Sequence, residues 1–271
     1  MTMAEIASTA NRLRLDVMET IHSAGDGHPA PCMSIADIIA VLYFKVLRLR
    51  PDDPDWKERD RFVLSKGHAC PVLYAALARR GYFPMDDLLK LRTLEGHLQG
   101  HPDMNKTPGI DTVSGSLGNG IAIGLGMALG CRYQGYDSRV YVIVGDGEQQ
   151  EGVIWEAAMA AAKFKAGNLI VFGDHNNHQS GGKVSELSSL YPVEDKWRSF
   201  HWHVQTIDGH DINAIEKAIK NAHETDMPSF IACETIKGKG IPYMENNNAW
   251  HKRVPTAEEV EAARDALRGA L

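Results

Sequence analysis

Apolar residues recur at helical spacing from Ile6 to Ser23, and the breaker cluster Gly25-Asp26-Gly27-His28-Pro29 ends that helix. A second helical pattern runs from Ser34 to Val46, with Ser34 as the expected N-cap and Arg50-Pro51-Asp52-Asp53-Pro54 as the stop. Arg61 to Ser65 reads as a short strand entering Lys66-Gly67-His68, and helix resumes from Pro71 to Arg80. The stretch Gly115 to Gly130 is rich in glycine and alanine, so a helix there carries a propensity cost that close backbone packing would offset. Val140 to Val144 is an unbroken β-branched and apolar run, the signature of a strand buried on both faces. After it come a helical stretch, Ile154 to Lys165, and a second apolar strand, Asn168 to Phe172. Trp202 to Ile207 and Ser229 to Thr235 read as further strands around a helix from Asn213 to His223, and Pro255 to Leu271 as a closing helix capped by Thr256. Strand, glycine turn and helix in alternation predict an α/β fold: a doubly wound, mostly parallel sheet with helices on both faces, whose ligands sit beyond the C-terminal strand ends.

Composition narrows the function. The 271 residues are 44% hydrophobic, enough for a substantial core and unlike a disordered chain. The formal charge of −6 offers no general basic surface for nucleic acid. Cys32, Cys70, Cys131 and Cys233 have no CxxC spacing, which argues against a zinc cluster or disulfide framework and fits a reducing cytoplasm. The N-terminus lacks a signal-peptide core, and no apolar run is long enough to span a membrane. The twelve histidines stand out, several directly after glycine: Gly27-His28, Gly67-His68, Gly96-His97, Gly100-His101 and Gly209-His210.

Asp146 ends one expected strand and Asn176 follows the next, thirty residues on, so the helix between them folds back and brings the two side chains together. A carboxylate, an amide oxygen and a nearby backbone carbonyl are hard oxygen ligands for Mg²⁺, which completes its octahedron with phosphate oxygens and water. Gly145 and Gly147 leave the flanking backbone open to phosphate. A Gly-Asp-Gly turn alone is a common turn; its spacing to Asn176 is the informative part.

These residues resemble the thiamine-diphosphate enzymes, and specifically the N-terminal, diphosphate-binding domain of transketolase, over nearly the whole chain. The family's cofactor motif stands as Gly145-Asp146-Gly147 through Gly152 and as Asp174 to Gln179, and further transketolase motifs match at Gly27-His28-Pro29, Leu64 to Ala69, Gly100-His101-Pro102 and Trp250-His251. The resemblance implies a thiamine-diphosphate-binding fold in which Asp146, Asn176 and the backbone oxygen of His178 hold Mg²⁺, with Ca²⁺ or Mn²⁺ able to replace it. It places His28 and His101 in the substrate channel, and His68 and His251 near the cofactor diphosphate or the substrate hydroxyls. Histidine suits such a role because ketose cleavage moves protons at hydroxyl and carbonyl oxygens near neutral pH. The resemblance also sets Leu117 beside the thiazolium ring, the Gly115 backbone against the aminopyrimidine, and Glu151 in an acidic network across a subunit interface. His97, His201, His203 and His210 match no catalytic position. Ser180 departs from the aliphatic residue usual there, and Lys237-Gly238-Lys239-Gly240 reads as a loop over the cofactor.

In transketolases the glutamate that activates the aminopyrimidine comes from a second domain. The resemblance therefore implies that residues 1–271 form one diphosphate-binding domain, with the pyrimidine-binding and C-terminal domains supplied by a separate subunit in an α2β2 assembly. The expected activity is transfer of a two-carbon ketol unit from a ketose, expected to be phosphorylated, to an aldose. Three other readings compete: the α-subunit of a 2-oxoacid dehydrogenase E1 component, which the histidine set disfavours; 1-deoxyxylulose-5-phosphate synthase, generally a single long chain; and a noncatalytic thiamine-diphosphate-binding scaffold.

Overall fold

The computed structural model describes residues 1–268. The first helix, α1 (Met3–Ala24), starts ahead of its apolar periodicity. Thr2 and Glu5 form a reciprocal capping box there. Next come α2 (Pro29–Met33) and α3 (Ala36–Val41), which runs into a π-helical turn, Leu42–Val46. The expected continuous helix from Ser34 is thus two pieces, and Ser34 caps the C-terminal end of α2 rather than the N-terminal end of α3. The reason is a stronger partner: the Ser34 hydroxyl donates to the Asp174 carboxylate at 2.8 Å, 140 residues away.

Strand β1 (Arg61–Leu64) leads through a 3₁₀ turn into α4 (Cys70–Arg80). The glycine-rich stretch forms α5 (Asn119–Tyr133), followed by β2 (Val140–Gly145), α6 (Gly152–Lys163) and β3 (Leu169–His175). A two-stranded hairpin absent from the sequence reading, β4 (His178–Gln179) and β5 (Gly182–Lys183), precedes the short helices α7 (Val184–Leu187) and α8 (Val193–Ser199). The chain continues through β6 (His203–Asp208), α9 (Ile212–His223), β7 (Ser229–Glu234) and α10 (Ala257–Arg268). Residues 269–271 of the expected closing helix lie outside the described residues. The other expected strands and helices are present, with ends shifted by a few residues.

The five long strands pair in the order β1-β2-β3-β7-β6, every pair parallel. Successive strand residues point to opposite faces, and on β1, β2, β3 and β7 both faces are buried, whereas the edge strand β6 is half-exposed. Phe62, Leu64, Tyr141, Ile143, Ile170 and Phe172 join α1, α3, α4 and α9 in one core. Val63, Val140, Val142, Val144, Leu169 and Val171 join α5, α6 and α8 in the other. This two-sided burial is why β2 and β3 read as apolar runs. Parallel pairing also puts the ends of β1, β2, β3 and β7 at one rim, where the loops that follow them meet.

The glycine-rich α5 is explained by close approach. A Cβ at Gly120 would lie 2.4 Å from the Ser65 Cβ and 2.8 Å from its Cα, whereas one at Gly126 would meet nothing within 4 Å. Gly120→Ala is therefore expected to cost about 1–3 kcal/mol through overpacking, and Gly126→Ala to gain about 0.5–1 kcal/mol through helix propensity. Urea unfolding of the two variants checks this; equal effects would refute the packing explanation.

Candidate active site

At the C-terminal rim of the sheet lies a cleft of about 410 Å³. Every site residue expected from the sequence lines it: His28, His68, His101, Gly115, Leu117, Gly145, Asp146, Gly147, Glu151, Asn176, His178 and His251. Pro31, Lys66, Glu148, Gln150, Asp174, Gln179, Ser180 and Lys237 complete the wall.

Asp146 follows β2 and is buried. Its carboxylate accepts the Asn177 N–H at 2.6 Å on Oδ2 and the Tyr191 hydroxyl on both oxygens, at 2.9 and 3.0 Å. Burial pushes its pKa up, while His175, Tyr191 and the Asn177 N–H pull it back. Asn176, just beyond β3, donates its amide N–H to Asp174 Oδ2 at 2.9 Å and accepts the His178 N–H on Oδ1 at 2.9 Å. The amide is thereby oriented with Oδ1 as its acceptor end. The His178 imidazole turns its Nδ1 back to the carbonyl of Asn176 at 2.7 Å, and the His178 backbone lies beside the Asn176 amide, its N–H bonded to Asn176 Oδ1. Among the described residues no three His, Cys, Asp or Glu side chains converge as a metal cluster. One carboxylate, one amide oxygen and one carbonyl make instead a partial set of hard oxygens, which suits Mg²⁺ or Ca²⁺ sharing its shell with phosphate oxygens.

Asp174, at the end of β3, is fully buried and bonded to Lys66 Nζ at 2.6 Å, the Ser34 hydroxyl at 2.8 Å, the Thr235 hydroxyl at 2.5 Å and the Asn176 amide. Burial works against its charge, but Lys66 and the hydroxyl donors outweigh it and hold the carboxyl below its usual range. Glu148 is also buried. It accepts the Ser65 hydroxyl and the N–H groups of Gly118 at 2.8 Å and Gly145 at 2.7 Å. The Gly145 N–H, expected to face phosphate, is therefore already taken, and Gly145 contributes to the cleft by having no side chain.

His28, His68 and His251 form a triangle with ring centroids 5.1, 5.5 and 5.4 Å apart. Burial, then neighbouring positive charge, lowers all three: His28 to about 4, His251 to about 3, and His68 well below its ordinary value. The rings are neutral at pH 7, each with one donor and one acceptor nitrogen. His28 Nδ1 is buried and has no protein partner. His101 stands at the rim, lowered by burial and Arg92. Its ring lies against Gly115, whose φ of +146° and whose 3.3 Å Cβ clearance from that ring both favour glycine. Leu117 and Glu151 are exposed at the same rim.

The sequence reading gave no defined role to five residues of the cleft and its surroundings. Lys237, read as a loop residue, is buried with Nζ 2.6 Å from Asn248 Oδ1 and 3.1 Å from His251 Nδ1. Both partners are neutral, and burial together with Lys66 lowers its pKa to about 8. Asn248 also donates to the Ser180 carbonyl at 2.9 Å, tying this loop to the hairpin across the cleft. Lys66 and Asp174 lay inside recognised motifs without an assigned role. Tyr191 carried no sequence signal. The cleft therefore combines an ammonium hydrogen-bonded to neutral partners, neutral imidazoles and a hard-oxygen set, and this chemistry fits a magnesium diphosphate.

Residues 6–269 match the family described as transketolase, thiamine diphosphate binding domain. The chain belongs to this family. It is 44% identical to SqwG of Clostridium sp. strain MSTE9, a subunit of a 6-deoxy-6-sulfo-D-fructose transketolase, over 96% of this chain and 94% of that one. It is 38% identical to one subunit of the apulose-4-phosphate transketolase of Phocaeicola vulgatus, over 96% and 92%. The crystal structure of transketolase from Campylobacter jejuni superposes with a TM-score of 0.92 at 30% identity, over 98% of this chain and 43% of that longer one. These relatives favour the transketolase reading over the E1 alternative. No described helix is long and apolar enough to cross a membrane.

The low imidazole pKa values have a measurable consequence. The unfolded rings take up protons near pH 6.5 while folded His28 and His251 stay neutral, so stability is lost as pH falls from about 6.5 toward about 4 and 3. In NMR titrations of the chain the C2–H signals of His28 and His251 should not move between pH 8 and 5.5. A midpoint near 6.5 for either would refute the buried, neutral cluster.

Proposed function

We propose that this chain is the diphosphate-binding subunit of a two-chain transketolase, which transfers a two-carbon ketol unit from a ketose to an aldose. The observation that carries the reading is the convergence of Asp146, Asn176 and the three-imidazole triangle in one cleft, with Leu117 and Glu151 exposed at its rim. Thiamine diphosphate supplies the electron sink for breaking and making the carbon–carbon bond.

Asp146, the Asn176 Oδ1 and the His178 backbone oxygen hold the metal, Mg²⁺ or, in its place, Ca²⁺ or Mn²⁺. Lys237, His68 and His251, which line the same cleft, would face the diphosphate. The positive charge that depresses these groups in the free cleft is offset once an anion lies among them. Gly115 and Leu117 line the place of the cofactor's rings. His28 and His101, neutral at pH 7, hold and move protons at the substrate's carbonyl and hydroxyl oxygens. At the rim, Glu151 meets the companion chain.

Residues 1–271 are read as a single diphosphate-binding domain, with the pyrimidine-binding and C-terminal domains on the companion chain and two copies of each in a cytoplasmic assembly. Two relatives matched over nearly their full length carry subunit names, which supports this division. Those names specify a sulfo-ketose and a ketose phosphate, so a ketose ending in a phosphate or sulfonate is the donor class to assay.

The chain, alone and with the product of a neighbouring open reading frame, is assayed for ketol transfer with thiamine diphosphate and Mg²⁺. Activity is expected only in the pair, and Asp146→Ala is expected to weaken cofactor binding at least a hundredfold. Full activity of the isolated chain would refute the two-chain reading. No turnover with any partner would favour the scaffold, and unchanged cofactor affinity in Asp146→Ala would remove the metal assignment.

A further inference from the structure

Tyr191 belongs to none of the matched motifs, yet its hydroxyl reaches the residue on which the metal assignment rests. It comes from the segment between α7 and α8 and bonds both Asp146 oxygens, at 3.0 Å to Oδ1 and 2.9 Å to Oδ2. Two further contacts fix the ring there. Its edge packs on His175, with centroids 5.9 Å apart at 82°. The segment is also tied to the turn that carries Asp146, because Gln150 Nε2 donates to the Ser188 carbonyl at 2.9 Å.

A carboxylate on a glycine-flanked turn is free to rotate, and a metal ligand works best when held. Asp146 is held by two donors on different elements, the Asn177 N–H after β3 and the Tyr191 hydroxyl. Oδ2 takes both donors, so Oδ1 is the less engaged oxygen. We propose that Tyr191 is a positioning residue for the metal site, its hydroxyl fixing the Asp146 carboxylate so that Oδ1 is presented to the cation. This rests on the assignment of Asp146 as a metal ligand.

The alternative is that the hydroxyl competes with the cation for the same lone pairs, and the two cases move metal affinity in opposite directions. Outer donors to metal-bound carboxylates typically contribute ten- to hundredfold in affinity. The ring is partly exposed, so Tyr191→Phe keeps its packing and removes only the hydroxyl. Tyr191→Leu removes both.

The test is Mn²⁺ binding followed by electron paramagnetic resonance, with thiamine diphosphate present, on the full chain together with its companion chain. Tyr191→Phe and Tyr191→Leu should both weaken Mn²⁺ by roughly tenfold, with the melting temperature of Tyr191→Phe unchanged. Unchanged or tighter Mn²⁺ binding in Tyr191→Phe would overturn the inference, as would weakening confined to Tyr191→Leu, which would make the ring and not the hydroxyl responsible. Wild-type and Asp146→Ala proteins run beside them. If wild type binds no Mn²⁺, or Asp146→Ala binds it as wild type does, the metal assignment itself fails. If those two behave as assigned and Tyr191→Phe does not, only the role of Tyr191 fails.

Discussion

The cleft depends on one buried carboxylate. Asp174 sits at the end of β3, the middle strand of the sheet, and accepts from Ser34 after α2, Lys66 after β1, Asn176 after β3 and Thr235 after β7. Four chain segments that meet at the cleft are thus tied to a single residue. An ion pair removed from water is costly in solvation, and replacing such a pair with apolar side chains is often neutral or stabilising. Fold stability alone therefore does not explain Lys66 and Asp174. Their bonds serve geometry: the Asn176 amide is turned so that its oxygen remains an acceptor, and Lys66 is held at the cleft wall beside the imidazole triangle.

Around that hub the cleft sets the Lys237 ammonium and three neutral imidazoles beside the buried carboxylates Asp146 and Glu148. Lys237 has only neutral partners, and His28, His68 and His251 are depressed by burial and by the positive groups around them. Such surroundings disfavour protonating the imidazoles, and an anion among them would reverse that bias. Asp146 shows the converse, a buried carboxylate pushed toward protonation until a cation joins it. A metal diphosphate supplies both complements at once, so the two perturbed groups point to the same ligand.

Much of this was legible in the sequence, and the reason is periodicity. The β-branched runs marked a sheet buried on both faces, and the thirty-residue interval from Asp146 to Asn176 follows from one strand, helix, strand unit between adjacent parallel strands. The glycine-histidine pairs were legible because short motifs keep their residues in order. What escaped were side chains whose meaning lies in distant partners. Ser34 has the local signature of an N-cap, and only the fold reveals Asp174 beside it. The Gly145 N–H looked open until Glu148 was seen to take it. Lys237 read only as part of a loop over the cofactor because nothing local signals its burial, and the contact of Tyr191 with Asp146 spans 45 residues that have no common pattern.

The proposed cation site of Asp146, Asn176 and the His178 carbonyl is tested most directly by a crystal structure of the chain with thiamine diphosphate and Mn²⁺, with anomalous scattering collected at the manganese edge. A single anomalous peak bonded to Asp146 Oδ1, Asn176 Oδ1 and the His178 backbone oxygen is the expected result. A peak bound elsewhere, with the diphosphate in the cleft and these three oxygens not coordinated, would contradict it.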